Sequence, residues 1–312
     1  HLTVTPNAAS REYGAANPAF TYAITGLLPS DTLAAAVQGT PTVSSLANAS
    51  SSVAGGPYAI TASLGTLASQ YNYGFTFAPG QLSITPALLS YLADPKSRTY
   101  GDPNGVLTGT ISGLKNGELA QNVTSGALVF TGTGNEFSDV GIYGITGSGL
   151  TVTSSNYAAA IGQAPANATA LQITPAQLYY LAEGETDIYG QSDSSVDGSV
   201  IGLKNGDDVG EVATGNEFFT TSVTSNTPVG QYAITGHGLT VFNPNYLATI
   251  LQDPSNAMAY TITQAQLFYD ADADDRKYGD PNGALDGSID GIVDGDTLES
   301  VVSGILVFTT AA

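Results

Sequence analysis

Cysteine is absent from all 312 residues, which removes disulfides, thiol catalysis and Cys-ligated zinc together. Basic residues are few, 7 against 27 acidic ones, for a formal net charge of -20. Such a surface repels the phosphates of nucleic acids and anionic lipid headgroups, so DNA and RNA are excluded as partners. No apolar run approaches the roughly 20 residues that a membrane helix needs. Residues 1 to 20 also lack the charged and apolar regions of a signal peptide. Membrane insertion is not expected, and any export signal lies upstream or has been removed. Lys, Arg, Glu and Met, the strong helix formers, are scarce, so helix should be nearly absent.

What is abundant is glycine (37), tyrosine (17), serine and threonine, a balance that favours strands joined by tight turns. A Tyr-Gly pair recurs at Tyr13-Gly14, Tyr100-Gly101, Tyr189-Gly190 and Tyr278-Gly279, spaced 87, 89 and 89 residues apart. A strand-and-proline marker reads Leu2-Thr-Val-Thr-Pro6, Leu82-Ser-Ile-Thr-Pro86, Leu171-Gln-Ile-Thr-Pro175 and Tyr260-Thr-Ile-Thr-Gln264. Tyr58, Tyr143 and Tyr232 each open a Tyr-x-Ile-Thr run, and Asn72-Tyr73, Asn156-Tyr157 and Asn245-Tyr246 follow. Alternating runs such as Val106 to Ile111 and Ala127 to Thr131 between glycine-rich turns read as a β-sandwich. Lys115-Asn116-Gly117 and Lys204-Asn205-Gly206 are expected to be hairpin turns, because Asn-Gly tolerates the positive φ angles of a two-residue loop.

Asp139-Val-Gly141-Ile-Tyr143 reproduces the approach to strand F of an immunoglobulin domain, where the tyrosine hydroxyl caps a backbone group at a corner. Tyr58, Tyr143 and Tyr232 are therefore expected to be buried corners. The residue two positions on shares the tyrosine's face. It is Ile60, Ile145 or Ile234, so aliphatic packing replaces the cysteine found there in antibody domains.

Together these pieces resemble the mostly bacterial Ig-like (MBG) domain: Tyr-Gly, then Asp102-Pro-Asn104 or Asp280-Pro-Asn282, Gly-Leu before an Asn-Gly turn, Gly-x-Tyr-x-Ile, Asn-Tyr, and Ile-Thr-Pro-Ala. The first unit departs from the pattern at Gly14-Ala-Ala-Asn17-Pro18 and the third at Gln191-Ser-Asp193. The resemblance implies an all-β chain of tandem immunoglobulin-like β-sandwich repeats of about 89 residues, arranged as an elongated rod. The repeats would span 1–85, 86–174, 175–263 and 264–312, the last without its C-terminal strands. It further implies filamentous haemagglutinin-like or other giant adhesins, secreted to the bacterial surface, in which such repeats form a stalk. The lack of bridged cysteines, common in eukaryotic extracellular arrays, agrees with a bacterial source. In this register Ala312 aligns with Gly134, and Gly304 to Phe308 is expected to be a β run with an exposed edge, completed by a longer chain or by a neighbour's strand.

Candidate chemical groups have plainer explanations. His1 is terminal, and His237 in Gly236-His-Gly238 aligns with Ser148, which reads as a solvated turn position. No Gly-x-Ser-x-Gly elbow precedes a helix, so no serine hydrolase is indicated. The acids lie in turns near Tyr-Gly, not in a walled cleft, so no catalytic pair, cofactor site or metal site is assigned and the chain is not expected to be an enzyme. Asp270, Asp272, Asp274 and Asp275 form the best calcium candidate, but position six of an EF-hand loop would be Asp275 and position twelve Pro281. Alternation would place Asp270, Asp272 and Asp274 on one strand face, where charge discourages edge pairing. Calcium at the acidic junction segments (Glu12; Asp94 and Asp102; Glu183, Glu185 and Asp187) would stiffen the array without being needed to fold it. The sequons at Asn48, Asn122 and Asn167 are those chance supplies in such a composition. Two functions remain: a stalk whose partners are neighbouring repeats or protomers of the same fibre, and a module that binds a glycan or protein. No unit carries the aromatic-lined insertion that a binding module needs, which favours the stalk, with host or matrix ligands met outside this segment.

Overall fold

The computed structural model describes residues 1–191, 195–293 and 295–311. Asp193, in the third unit's departure, and Ala312, the end of the aligned register, lie outside the described residues. The chain is all-β. Its helical segments are single turns, such as Ala120–Val123 and Val209–Val212, and two short 3-10 segments, Pro165–Thr169 and Pro254–Met258. It forms two compact units, His1–Arg98 with Pro103–Ile173, and Thr99–Asp102 with Thr174–Ala312.

The second repeat shows the plan. Its leading strand, Ala87–Ala93, alternates Ala87, Leu89, Tyr91 and Ala93 inward, which is the two-residue period of a half-buried strand. It pairs antiparallel with Gly109–Ser112 and parallel with Tyr157–Gln163. The opposing layer orders Lys96–Thr99, Leu171–Thr174 and Gly141–Tyr143, and beyond Gly144 the chain continues as Ile145–Val152 against Thr124–Gly132. Thr124–Gly132, the corner strand and the closing strand thus keep the C, F, G order of an immunoglobulin sandwich. Leu89, Tyr91, Ile145 and Leu171 from the two layers share one core. Gly147 allows the layers to meet: a Cβ there would lie 2.4 Å from Cβ of Tyr91, and Gly236 stands in the same relation to Tyr180.

Two polar devices hold this plan. Asn167, 3% exposed, accepts from Ala93 N–H at 2.9 Å and donates to Tyr91 O and Gln163 Oε1, both at 3.0 Å. Asn256 repeats this with Ala182, Tyr180 and Gln252. The Asn167 sequon is therefore spent inside the fold. The buried Arg98 donates through Nε to Asn104 Oδ1 at 2.7 Å, and Arg11 does so to Asn17 at 2.8 Å. The first unit's departure from Asp-Pro-Asn thus keeps the working asparagine in place. In the third repeat Asp187 stands at the arginine position and accepts from the hydroxyl of the buried Tyr260, which stands where the second repeat has Leu171.

The corner tyrosines donate as expected, Tyr58 to Ser52 O at 2.8 Å, Tyr143 to Asp139 O at 2.8 Å and Tyr232 to Pro228 O at 2.7 Å. Their rings are half-buried and not enclosed, because the short strand that carries them lies at the end of the sandwich. Ile60, Ile145 and Ile234 are at most 1% exposed, each worth about 1.5 to 3 kcal/mol.

Several expectations need correction. Leu2–Pro6 is not equivalent to Leu82-Ser-Ile-Thr-Pro86: it pairs with Tyr22–Thr25 and Phe75–Phe77 as a leading strand, whereas Gly80–Thr85 is a closing strand. Lys115-Asn116-Gly117 has the expected positive φ at Asn116 (50°) and Gly117 (74°), yet it closes no hairpin and leads into the helical turn Ala120–Val123. His237 lies within the strand Ile234–Val241, opposite Phe218, and not in a turn. The strand Phe268–Ala271 ends before Asp272, so the three aspartates share no strand face. Gly304 to Phe308 forms no strand. The same run in the second and third repeats pairs with Ile145–Val152 or Ile234–Val241.

Candidate functional site: a tyrosine-glycine socket

The Tyr-Gly pairs, the Lys-Asn-Gly turns and the Asn-Tyr pairs, separate in sequence, meet in space. Tyr13 follows the strand Ala9–Glu12, and its amide donates to Thr85 O at 2.9 Å. Gly14, at φ +81°, turns the chain away with a backbone conformation that side chains disfavour. A Cβ on Gly14 would also lie 2.6 Å from Cβ of Lys115, so the lysine stem packs flat on bare backbone. The Tyr13 ring, 3% exposed, meets Tyr157 edge-on, with centroids 5.7 Å apart and planes at 77°.

Hydroxyls define the floor of the socket. Tyr157 Oη accepts from Lys115 N–H at 2.9 Å and donates to Glu118 Oε2, while Tyr13 donates to Glu118 Oε1 at 3.1 Å. One carboxylate thus anchors two tyrosines. Burial and this carboxylate push the Tyr157 hydroxyl up to about 12. Lys115 Nζ reaches Glu12 at 2.7 Å over the rim, where both side chains are about a third or more exposed and the pair contributes little.

The C-terminal unit contains the same arrangement. Tyr100 meets Tyr246 at 5.6 Å and 74°, and Tyr246 accepts from Lys204 N–H at 2.9 Å. Tyr246 donates to Asp207 Oδ2 at 2.7 Å and Tyr100 donates to the same oxygen at 3.3 Å. Gly101, at φ +79°, faces Lys204, whose Nζ is 2.9 Å from Asp102. The acid of the rim pair has moved from the residue before Tyr-Gly to the residue after it, while the floor keeps its two tyrosines, a lysine N–H donor and a carboxylate. Burial and Asp207 raise the Tyr246 hydroxyl too. At Tyr189-Gly190 the acid persists as Asp296, which raises the Tyr189 hydroxyl after burial does, and Val293 packs on Gly190 in place of lysine.

Of the junction acids proposed for calcium, Glu12 and Asp102 pair with lysines, Asp94 accepts from the Thr108 hydroxyl and Asp187 from the Tyr260 hydroxyl. Among the described residues no three His, Cys, Asp or Glu side chains are grouped as a metal site would need. His237 stacks at 5.5 Å on Phe218. Sequence reasoning took Lys-Asn-Gly for a local turn and missed the socket. The usable signal was that Lys115, Glu118 and Asn156-Tyr157 recur together at Lys204, Asp207 and Asn245-Tyr246.

A family model described as MBG domain (YGX type) matches residues 2–83, 89–166 and 178–255. Its matches begin at Leu2, Leu89 and Leu178, equivalent positions of the repeat 87 and 89 residues apart. No curated protein and no solved structure matches the chain.

Proposed function

Because the chain belongs to the MBG domain (YGX type) family, whose domains occur in bacterial surface proteins, we propose that it is a load-bearing spacer in a secreted adhesin or extracellular fibre. It is exported to the cell surface, it catalyses no reaction, and its partners are neighbouring repeats of the same fibre. Capture of a glycan or protein belongs to other regions of that assembly.

One observation carries this reading: the Tyr-Gly socket is built twice, each time from two edge-on tyrosines, a lysine N–H and one carboxylate. Its parts are spent on one another, which suits transmission of force along the chain. Single-molecule pulling tests it. Each repeat should give a force peak followed by release of roughly 300 Å, for about 89 residues at ~3.4 Å each, and Tyr13→Ala with Tyr100→Ala should lower the peaks. Extension without force peaks would refute a load-bearing role.

A further inference from the structure

The strand Thr124–Gly132 stands at the edge of its sheet. Ile145–Val152 pairs with one side of it, and among the described residues no strand pairs with the other. It is nine residues long, carries no charge and no proline, and leaves Ser125 to Val129 exposed, Leu128 by 39% and Val129 by 46%. A long, uncharged, partly apolar edge is a template for a further strand, and folded chains ordinarily blunt it. The other edges of this repeat are blunted by shortness: Lys96–Thr99, Gly109–Ser112 and Gly141–Tyr143 have three or four residues each. The far side of Ile145–Val152 is met by the Gln163 amide, which accepts from Gly147 N–H at 2.9 Å and donates to Gly147 O at 2.7 Å.

The neighbouring repeats blunt the same edge, and both do so at one position. By the spacings of 87 and 89 residues, Leu128 aligns with Pro41 and with Glu217. Pro41 has no N–H to offer a ladder, and the first repeat's edge is split there into Val37–Gln38 and Thr42–Ser44. In the third repeat Glu217 lies in the strand Ala213–Thr221, with Oε1 buried and no hydrogen-bond partner. A second strand laid on that edge would dry the rest of the carboxylate, so a residue that costs its own repeat stability also bars a neighbour. The irregularities after Gly126 and Gly215 are common to both strands and do not distinguish them.

We infer that Thr124–Gly132 pairs with the same strand of a second copy of this chain, antiparallel about a two-fold axis, so that two copies associate side by side. The occupant follows from what the edges offer. A ladder needs two open edges; the first and third repeats are blunted and the fourth forms no strand at this place, so the match is Thr124–Gly132 of another copy. A two-fold axis makes one surface its own partner, and antiparallel pairing accommodates it directly. No acid of the strand meets its equivalent, in a chain whose net charge of -20 opposes contact between copies elsewhere, so salt strengthens the pairing. With one such edge per chain, association stops at two.

The inference goes beyond the spacer reading, and the pulling experiment, made on single chains, stands or falls without it. Sedimentation velocity of the 312-residue chain over a concentration series, in moderate salt, tests it. Wild type should pass from monomer to dimer as concentration rises. Leu128→Glu, which gives the second repeat the acid of the third, should hold the chain monomeric throughout. Val129→Lys, at the exposed neighbour, should do the same and replaces Leu128→Glu should that variant not fold. Glu217→Leu frees the third repeat's edge and should carry dimers on to longer assemblies. Leu306→Glu, at the equivalent position of the fourth repeat, should leave the dimer in place. A wild type that stays monomeric to its solubility limit, or a dimer that survives Leu128→Glu and Val129→Lys, overturns the inference. A dimer lost through Leu306→Glu overturns it in favour of the run Gly304 to Phe308, and dimers of Glu217→Leu that grow no further overturn the blunting on which it rests.

Discussion

Replacing Tyr157 with phenylalanine removes one oxygen from the socket floor and leaves the ring packing against Tyr13 in place. The lost hydroxyl accepts from Lys115 N–H and donates to Glu118. A backbone donor left unpaired costs about 1 to 3 kcal/mol, and a bond to a carboxylate about 1.5 to 3. Water recovers part of the second at the half-exposed rim, so the sum is about 2 to 3 kcal/mol. For a unit of this size that lowers the midpoint by roughly 4 to 12 °C, at about 2 to 4 °C per kcal/mol. The alkaline limb gives an independent measure. A hydroxyl raised from 10 to about 12 holds its proton more tightly in the folded chain. Its contribution is complete below pH 10 and is lost as pH rises towards 12, a difference of about 3 kcal/mol. The other tyrosines also titrate in this window, so the informative quantity is the difference between wild type and Tyr157→Phe, by calorimetry from pH 8 to 12. It should be largest below pH 10 and shrink above it. A difference constant with pH, or a midpoint unchanged at pH 8, would refute the bonded floor.

Asn167→Ala strands Ala93 N–H and Tyr91 O, and should cost about 2 to 4 kcal/mol in denaturant titration; a loss under 1 kcal/mol would show that water replaces the amide. Gly147→Ala drives a Cβ into Tyr91 at its own Cβ, where no rotamer change gives relief, and should cost at least about 2 kcal/mol. Glu217 Oε1 is buried without a partner, and desolvation raises its carboxyl above the usual 4.5. The native state therefore favours the protonated form, and the penalty appears as pH rises through that range, so Glu217→Gln should stabilise by about 1 kcal/mol at pH 7 and by little at pH 3. Chelator should leave the unfolding midpoint unchanged, since Glu12 and Asp102 are held by lysines and Asp94 and Asp187 by hydroxyls; a fall of several degrees would restore calcium to the junctions.

The all-β class, the corner tyrosines and the isoleucines behind them were legible because each rests on spacing within some ten residues, and the repeat because the same short markers return in order every 87 to 89 residues. The socket was not, because its parts lie about a hundred residues apart and each has a sufficient local explanation. Leu2–Pro6 was misaligned on its Thr-Pro ending; its spacing of 80 to Leu82, against 87 to 89 elsewhere, marked the error. Gly304 to Phe308 shows the converse limit. Its apolar run reads as a strand from the sequence, yet the backbone there forms none.

The exchange of Arg98 and Leu171 for Asp187 and Tyr260 limits how such an array can evolve. Tandem related repeats in one gene invite unequal recombination, which lengthens or shortens the array by whole periods. A crossover in register near the Ile-Thr-Pro segments moves Asp187 and Tyr260 together and leaves the aspartate its hydroxyl. A crossover inside a repeat, between the strands Glu185–Ile188 and Tyr260–Thr263, joins Asp187 to a closing strand with leucine at the critical place. The hybrid keeps its length, its Tyr-Gly turn and its corner tyrosine, and loses the acid's partner. Arrays of this kind should therefore grow by inheritance of intact units, with breakpoints gathered at the seams.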